Sequence, residues 1–233
     1  MNRKSRTVLA AISVIIIAAS GILTFSLESI EVAGKPTRVA CVGDSITEGS
    51  TYPYRLKGML GPDYRVGNFG VSGSTVSLNS KTPYMNQSKF REALEFRPDI
   101  VVIMLGTNDA NAENSSEGSF EAAYSQLVNS FQQLEGKQLI WIVKSPPIFT
   151  DNPDYNDTYL ASTILLSIDK LADEMNLPTV DMYSAFGNHS DYFMDGVHPD
   201  SKGAALIASK VYDAITLPDG SPDESYFSDQ YLG

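Results

Sequence analysis

The sequence predicts an α/β domain in which a parallel sheet carries helices on both faces, and three observations point there. Short β-type runs occur at Arg38 to Val42, Tyr64 to Phe69, Ile100 to Leu105, Leu139 to Val143 and Thr179 to Asp181. Several of them are apolar without alternation, as expected of strands covered from both sides. Between them lie amphipathic stretches: Phe120, Tyr124, Leu127, Phe131 and Leu134 recur at spacings of four and three, as do Ile164, Ile168, Leu171 and Met175. Ala204, Ile207, Ala208, Val211 and Ile215 suggest a last helix. Finally, polar, glycine-bearing segments follow the strands, where open parallel sheets place their binding sites.

A chain of 233 residues suits one such domain with terminal extensions. Its 17 basic and 28 acidic residues leave a net charge of −11, which argues against a sequence-independent grip on nucleic acid. One cysteine excludes an intrachain disulfide framework and a cysteine-built zinc site. With only His189 and His198, a multi-histidine metal cluster is excluded as well.

The N-terminus carries Arg3, Lys4 and Arg6, followed by no charge from Thr7 to Leu27. A basic flank before a charge-free apolar run reads as an export element over residues 1–27. It is either a cleaved signal peptide, with Ala18 and Ser20 before the cut, or an uncleaved membrane-spanning helix. Apolar residues continue through Ile22, Leu23 and Phe25, which favours the anchor and makes that helix the expected membrane contact. Residues 28–36 read as a linker, 37–217 as the folded domain, and 218–233 as an acidic flexible tail.

The polar segments are Gly43-Asp44-Ser45-Ile46-Thr47-Glu48-Gly49, Asn68-Phe69-Gly70-Val71-Ser72-Gly73, Gly106-Thr107-Asn108-Asp109 and, near the C-terminus, Asp195-Gly196-Val197-His198-Pro199. Nucleophilic acyl transfer needs a hydroxyl, a base, a group that orients the base, and donors for an oxyanion. Ser45 follows a strand in a tight glycine-flanked turn and is the best nucleophile. His198 supplies a base titrating near neutrality, and Asp195, three residues earlier, can reach its Nδ1. The amides of Ser45 and Gly73 and the side-chain NH2 of Asn108 are three neutral donors. Glycine at 73 lets a backbone amide approach substrate with no side chain in the way.

These four blocks, in this order, resemble the SGNH or GDSL-type serine hydrolases from about Thr37 to about Leu217. Gly43-Asp44-Ser45 resembles the nucleophile block, Gly73 the oxyanion glycine, Gly106-Thr107-Asn108-Asp109 the asparagine block, and Asp195 through His198 the Asp-x-x-His block. The resemblance implies a three-layer, flavodoxin-like fold with a five-stranded parallel sheet of order 2-1-3-4-5. It also implies a Ser-His-Asp mechanism and no metal or organic cofactor. Within the family the motifs are more similar to the carbohydrate O-acetylesterase branch than to the lysophospholipase and thioesterase branch. The Gly-x-Ser-x-Gly elbow of the α/β-hydrolases is absent.

Each assignment has a plainer counterpart. Ser45 can cap the following helix, Asn108 and Asp109 can form a turn, and Gly70 can serve only its turn. Asp44, Gly43 and Asp109 are assigned supporting roles, Asp44 by bracing the nucleophile turn. Cys41 lies within an apolar strand and reads as core. A metal-dependent phosphoesterase is faintly echoed by Gly43-Asp44 and Gly187-Asn188-His189 but lacks the ligands for two metals. A noncatalytic carbohydrate-binding protein on the same fold stays open. The partner expected is a small-molecule or polysaccharide ester. Tyr52, Tyr54, Tyr84 and Tyr155 either stack on sugar or pack their own loops, and Ser145 to Tyr155 is the expected specificity loop.

Overall fold

The computed structural model describes residues 15–18, 21–24, 35–111 and 120–216. Residues up to Lys35 form one unit, and those from Pro36 onward form another. In the first, Ile15–Ala18 pairs antiparallel with Gly21–Thr24, Ile15 opposite Thr24 and Ala18 opposite Gly21. This corrects the expectation of a helix over these residues: three consecutive β-branched isoleucines favour extended backbone. Among the described residues no helix is long and apolar enough to cross a membrane. The remainder of the charge-free run, the linker up to residue 34 and the acidic tail lie outside the described residues.

The second unit holds five parallel strands, β1 (Thr37–Gly43), β2 (Tyr64–Gly70), β3 (Ile100–Met104), β4 (Leu139–Lys144) and β5 (Thr179–Asp181). Their spatial order is 2-1-3-4-5, the order the resemblance implies. Neighbouring residues on a strand point to opposite faces, so the unbroken burial of Val39, Ala40, Cys41 and Val42 feeds two cores. Ala40 and Val42 join Val101, Ile103, Ile140 and Ile142 on one face. Val39 and Cys41 join Val102, Met104, Val143 and Val180 on the other.

The helices divide accordingly. On the first face lie α3 (Ser88–Glu95), α4 (Phe120–Gln132) and α5 (Leu165–Met175), the last entered through a turn at Asp157–Tyr159 and a π turn at Leu160–Ile164. On the second lie α1 (Ser45–Gly49), α2 (Tyr52–Leu60), α6 (Met182–Phe186) and α7 (Ser201–Thr216). The stripe Phe120, Tyr124, Leu127 and Phe131 of α4 is buried as its spacing predicts, each side chain contributing roughly 1.5–3 kcal/mol. Helix α2 is an addition to the elements the sequence predicts. Its signal is present in Tyr52, Leu56 and Leu60 at spacings of four, Pro53 in the first turn and Gly61 just beyond the end.

Strand register assembles the functional edge. Gly43 of β1 lies opposite Gly70 of β2 and Met104 of β3, so three strands end level and their following loops emerge side by side. Gly70 permits that convergence by close packing. A Cβ there would stand 2.2 Å from the Glu48 amide nitrogen and 2.8 Å from the Asp44 carbonyl oxygen.

Candidate active site

Ser45 opens α1, the helix that leaves β1 at its C-terminal end. Asp44, not Ser45, caps this helix: its Oδ1 accepts from the Ile46 amide at 2.9 Å. The capping alternative for Ser45 therefore falls, and the serine hydroxyl is free for other partners. It meets His198, whose Nε2 lies 2.9 Å from Ser45 Oγ. The other ring nitrogen, Nδ1, lies 2.7 Å from Asp195 Oδ2. With the ring proton on Nδ1, Nε2 accepts from the serine hydroxyl.

The loop that carries Asp195 and His198 is tied by backbone and side-chain hydrogen bonds. Met194 donates its amide to the His198 carbonyl at 2.9 Å, and Phe193 bridges Pro199 antiparallel. Asp195 Oδ1 accepts the amides of Val197 at 3.0 Å and His198 at 2.7 Å. Burial pushes the Asp195 carboxyl up, but the His198 amide and ring and the Val197 amide outweigh it and hold the group below the usual carboxylate range. Gly196, at φ +82°, lies against the chain at Phe149 and Thr150, and the Phe149 amide donates to its carbonyl at 2.7 Å. The inner half of the expected specificity loop, Ser145 to Ile148, is buried, and residues 151–154 are exposed.

The donor side is assembled from β2 and β3. Gly73 has φ +72°, and a Cβ added there would meet nothing within 4 Å. The left-handed backbone is a further reason for glycine at 73. The Gly73 amide donates to no acceptor among the described residues. Asn108, nearly buried, sits in a short 3-10 turn after β3 and donates from Nδ2 to the Ser74 carbonyl at 3.0 Å. Asp109 reaches the same segment, its two carboxylate oxygens accepting the amides of Val76 and Ser77 at 2.9 Å each. Asn108 and Asp109 thus join two loops beyond forming a turn.

Asp44 is 1 % exposed, and its second oxygen, Oδ2, is buried without a hydrogen-bond partner among the described residues. Burial pushes its carboxyl up to about 7, the Asp109 charge adds to the rise, and the Ile46 amide and His198 oppose it. A carboxyl with one unpartnered oxygen in a dry site favours the protonated form. Burial likewise lifts Asp109, against the amides of Val76 and Ser77. Cys41 is fully buried with its thiol pushed up to about 12 by burial, as befits a core residue.

Two of the four tyrosines prove to be core. Tyr52 and Tyr84 are fully buried, and the Tyr84 hydroxyl donates to the Phe69 carbonyl at 2.7 Å. Tyr54 is 79 % exposed and Tyr155 is half-buried against the core. Sequence reasoning assigns no role to Asn68 or Glu48, yet Asn68 ties α1 to β2 and Glu48 ties it to the segment after β2. The Asn68 amide donates to the Thr47 carbonyl at 2.8 Å, and Glu48 Oε2 accepts from the Ser72 amide at 2.9 Å and from its hydroxyl. An acidic residue on an exposed helix end looks like any solvated side chain, so nothing local marks it.

A hydroxyl on a base, the base on a carboxylate, and neutral donors nearby are the parts of a nucleophilic acyl-transfer site. Known proteins resemble the chain in sequence and in fold. It is 34 % identical to an acetylxylan esterase from Xylanibacter ruminicola, over 76 % of this chain and 43 % of that protein's length. The chain therefore spans less than half of that relative. Its fold resembles a carbohydrate acetylesterase from Sinorhizobium meliloti, with a TM-score of 0.67 and 19 % identity over 77 % of this chain and 98 % of that one. It also resembles an aryl esterase from M. smegmatis, with a TM-score of 0.64 and 21 % identity over 77 % and 98 % of the two chains. Residues 41–206, spanning Ser45 through His198, match the sequence pattern of one family, and the chain belongs to it: the GDSL-like lipase/acylhydrolases.

Proposed function

We propose that this protein is a serine esterase that removes short acyl groups, acetyl foremost, from carbohydrate or similarly polar esters through an acyl-enzyme. The observation that carries this reading is the continuous chain Ser45 Oγ, His198 Nε2, His198 Nδ1, Asp195 Oδ2, at 2.9 and 2.7 Å. Ser45 Oγ attacks the ester carbonyl as His198 Nε2 takes its proton, and Asp195 stabilises the imidazolium that forms. The amides of Ser45 and Gly73 and the Asn108 side chain bind the oxyanion. The alcohol departs with the proton from His198. Water activated by the same nitrogen then releases the acid.

The similarity to an acetylxylan esterase supports the acetyl group and the carbohydrate. We further propose export from the cytoplasm, on the basic residues Arg3, Lys4 and Arg6 before the charge-free run. Membrane attachment through that run belongs to the same proposal, and the mass of the exported protein distinguishes a cut segment from a retained one.

The test is a series of p-nitrophenyl esters of increasing chain length beside acetylated xylan, with fluorophosphonate labelling mapped by mass spectrometry. The expected result is fastest turnover of acetyl esters and a label on Ser45. Preference for long acyl chains would instead indicate a lipid acyl hydrolase, and neither turnover nor label a noncatalytic binding protein.

A further inference from the structure

The geometry points to Glu48 as the positioning residue that holds the Gly73 oxyanion amide in register with the nucleophile, an inference that rests on the esterase reading above. Ser45 and Glu48 are the first and fourth residues of α1, a helix of five residues capped by Asp44. From its far end, the Glu48 carboxylate crosses to the segment after β2. One oxygen, Oε2, receives both the backbone amide of Ser72, at 2.9 Å, and the Ser72 hydroxyl. Ser72 directly precedes Gly73. An acceptor that fixes the amide plane of one residue constrains the orientation of the next, and bonds from neutral donors to a carboxylate are the stronger sort.

Five further hydrogen bonds restrict β2's end and the turn after it, so that the carboxylate completes a clamp. Asn68 donates from Nδ2 to the Thr47 carbonyl at 2.8 Å, and its Oδ1 accepts from the Gly70 amide at 2.9 Å. Val71 donates to the Gly43 carbonyl at 3.0 Å. Ser74 donates both its amide, at 3.1 Å, and its hydroxyl, at 2.7 Å, back to the Val71 carbonyl. Within the turn from Val71 to Ser74, the Ser72 contact is the one made to the helix that bears the nucleophile. Gly73 lies exposed at φ +72°, with open space where a Cβ would stand, so no side-chain packing holds this turn at residue 73. The carboxylate of Glu48 supplies the restraint that packing leaves out.

An oxyanion donor works only when it is aimed before the charge develops, and displacement by about 1 Å costs on the order of a hundredfold. Removing the tether acts on the transition state more than on ground-state binding. Glu48→Ala is therefore expected to lower kcat for p-nitrophenyl acetate about tenfold or more, with KM within about twofold and an unchanged melting temperature. Glu48→Gln keeps an amide oxygen that can accept from Ser72 and is expected to recover most of the lost rate. Ser72→Ala removes the hydroxyl and keeps the amide, so its loss is smaller than that of Glu48→Ala. A Glu48→Ala enzyme with wild-type kcat overturns the inference. So does a rate loss that Gln does not rescue, or one that scales with lost stability across the three variants. If wild-type protein neither turns over acetyl esters nor takes up fluorophosphonate at Ser45, the esterase reading itself has failed, whatever Glu48 does.

Discussion

His198 Nε2 stands 2.9 Å from Ser45 Oγ although 153 positions separate the two residues. The contact joins the first and last blocks of the domain. It forms because β1 lies near the middle of the sheet, and α7, which follows the His198 loop, packs on the same face as α1 and α2. Arg55 of α2 reinforces that packing by donating to the Ser201 hydroxyl at 2.8 Å.

Ser45→Ala removes the proposed nucleophile and is expected to lower kcat by about a thousandfold or more. Because Asp44 caps the helix, the melting temperature stays within a few degrees of wild type. Esterase assays paired with calorimetry check both halves, and equal loss of fold would assign Ser45 a structural role.

Asp195→Asn leaves the loop's shape but weakens the hold on His198 Nδ1–H, so the tautomer with Nε2 free is less populated. About a thousandfold loss in kcat is expected, with little change in KM. Since the His198 and Val197 amides and the imidazole hold Asp195 low against burial, the wild-type carboxylate stays ionised into mildly acidic solution. Whatever stability those bonds contribute is present above the unfolded pKa and is lost as pH falls through the folded one. Thermal melts of the two proteins from neutral to acidic pH read that difference.

Asn108→Ala is expected to reduce kcat about a hundredfold or more while leaving KM nearly unchanged, as for other oxyanion donors. It also deprives the Ser74 carbonyl of its 3.0 Å partner. Asn108→Asp is the sharper control, because it keeps the size and replaces a donor with a charge that repels the oxyanion. Steady-state kinetics on one acetyl ester separate these effects.

Asp44 carries the opposite pH dependence. Its folded pKa of about 7 lies above its ordinary 3.8, so the folded state binds this proton more tightly than the unfolded chain. The resulting contribution to stability is complete below about 4 and disappears as pH rises toward 7. Asn at this position has no proton to lose. The melting temperature of Asp44→Asn relative to wild type is therefore expected to climb between pH 4 and 8, and a constant offset would contradict the protonated carboxyl.

The glycines that end and follow β2 fail for different reasons. Gly73→Ala meets no atom but forces a side chain into left-handed backbone, at about 1 to 2 kcal/mol. Gly70→Ala drives a methyl into the α1 backbone, where no flexible side chain can yield, and is expected to cost about 3 kcal/mol or more. Denaturant titration gives the order directly. The smaller stability loss should accompany a clear loss of activity if the Gly73 amide binds the oxyanion as proposed.

Much of the fold is legible in the amino-acid sequence. Non-alternating apolar runs such as Val39 to Val42 specify strands covered on both faces, and the stripe from Phe120 to Phe131 specifies a helix, because each pattern repeats within one element. The chemistry of the site is equally plain, since Ser45, Asn108, Asp195 and His198 stand in segments that follow strands or carry turn residues. Less legible are α2, where Gly58 interrupts a fair signal, and the N-terminal isoleucines, whose charge-free run suits a helix as well as the hairpin found.

Element types, the parallel sheet and the residues available for chemistry are set along the chain, because backbone propensity and hydrophobic period act over a few residues. Tertiary structure decided which way single side chains turn. It sent Tyr52 and Tyr84 into the core, left Asp44 buried with an unpartnered oxygen, and set Glu48 against Ser72. Such outcomes depend on the register that levels Gly43, Gly70 and Met104 and on which helix packs over which face. Those are relations between residues tens of positions apart, and no local pattern encodes them.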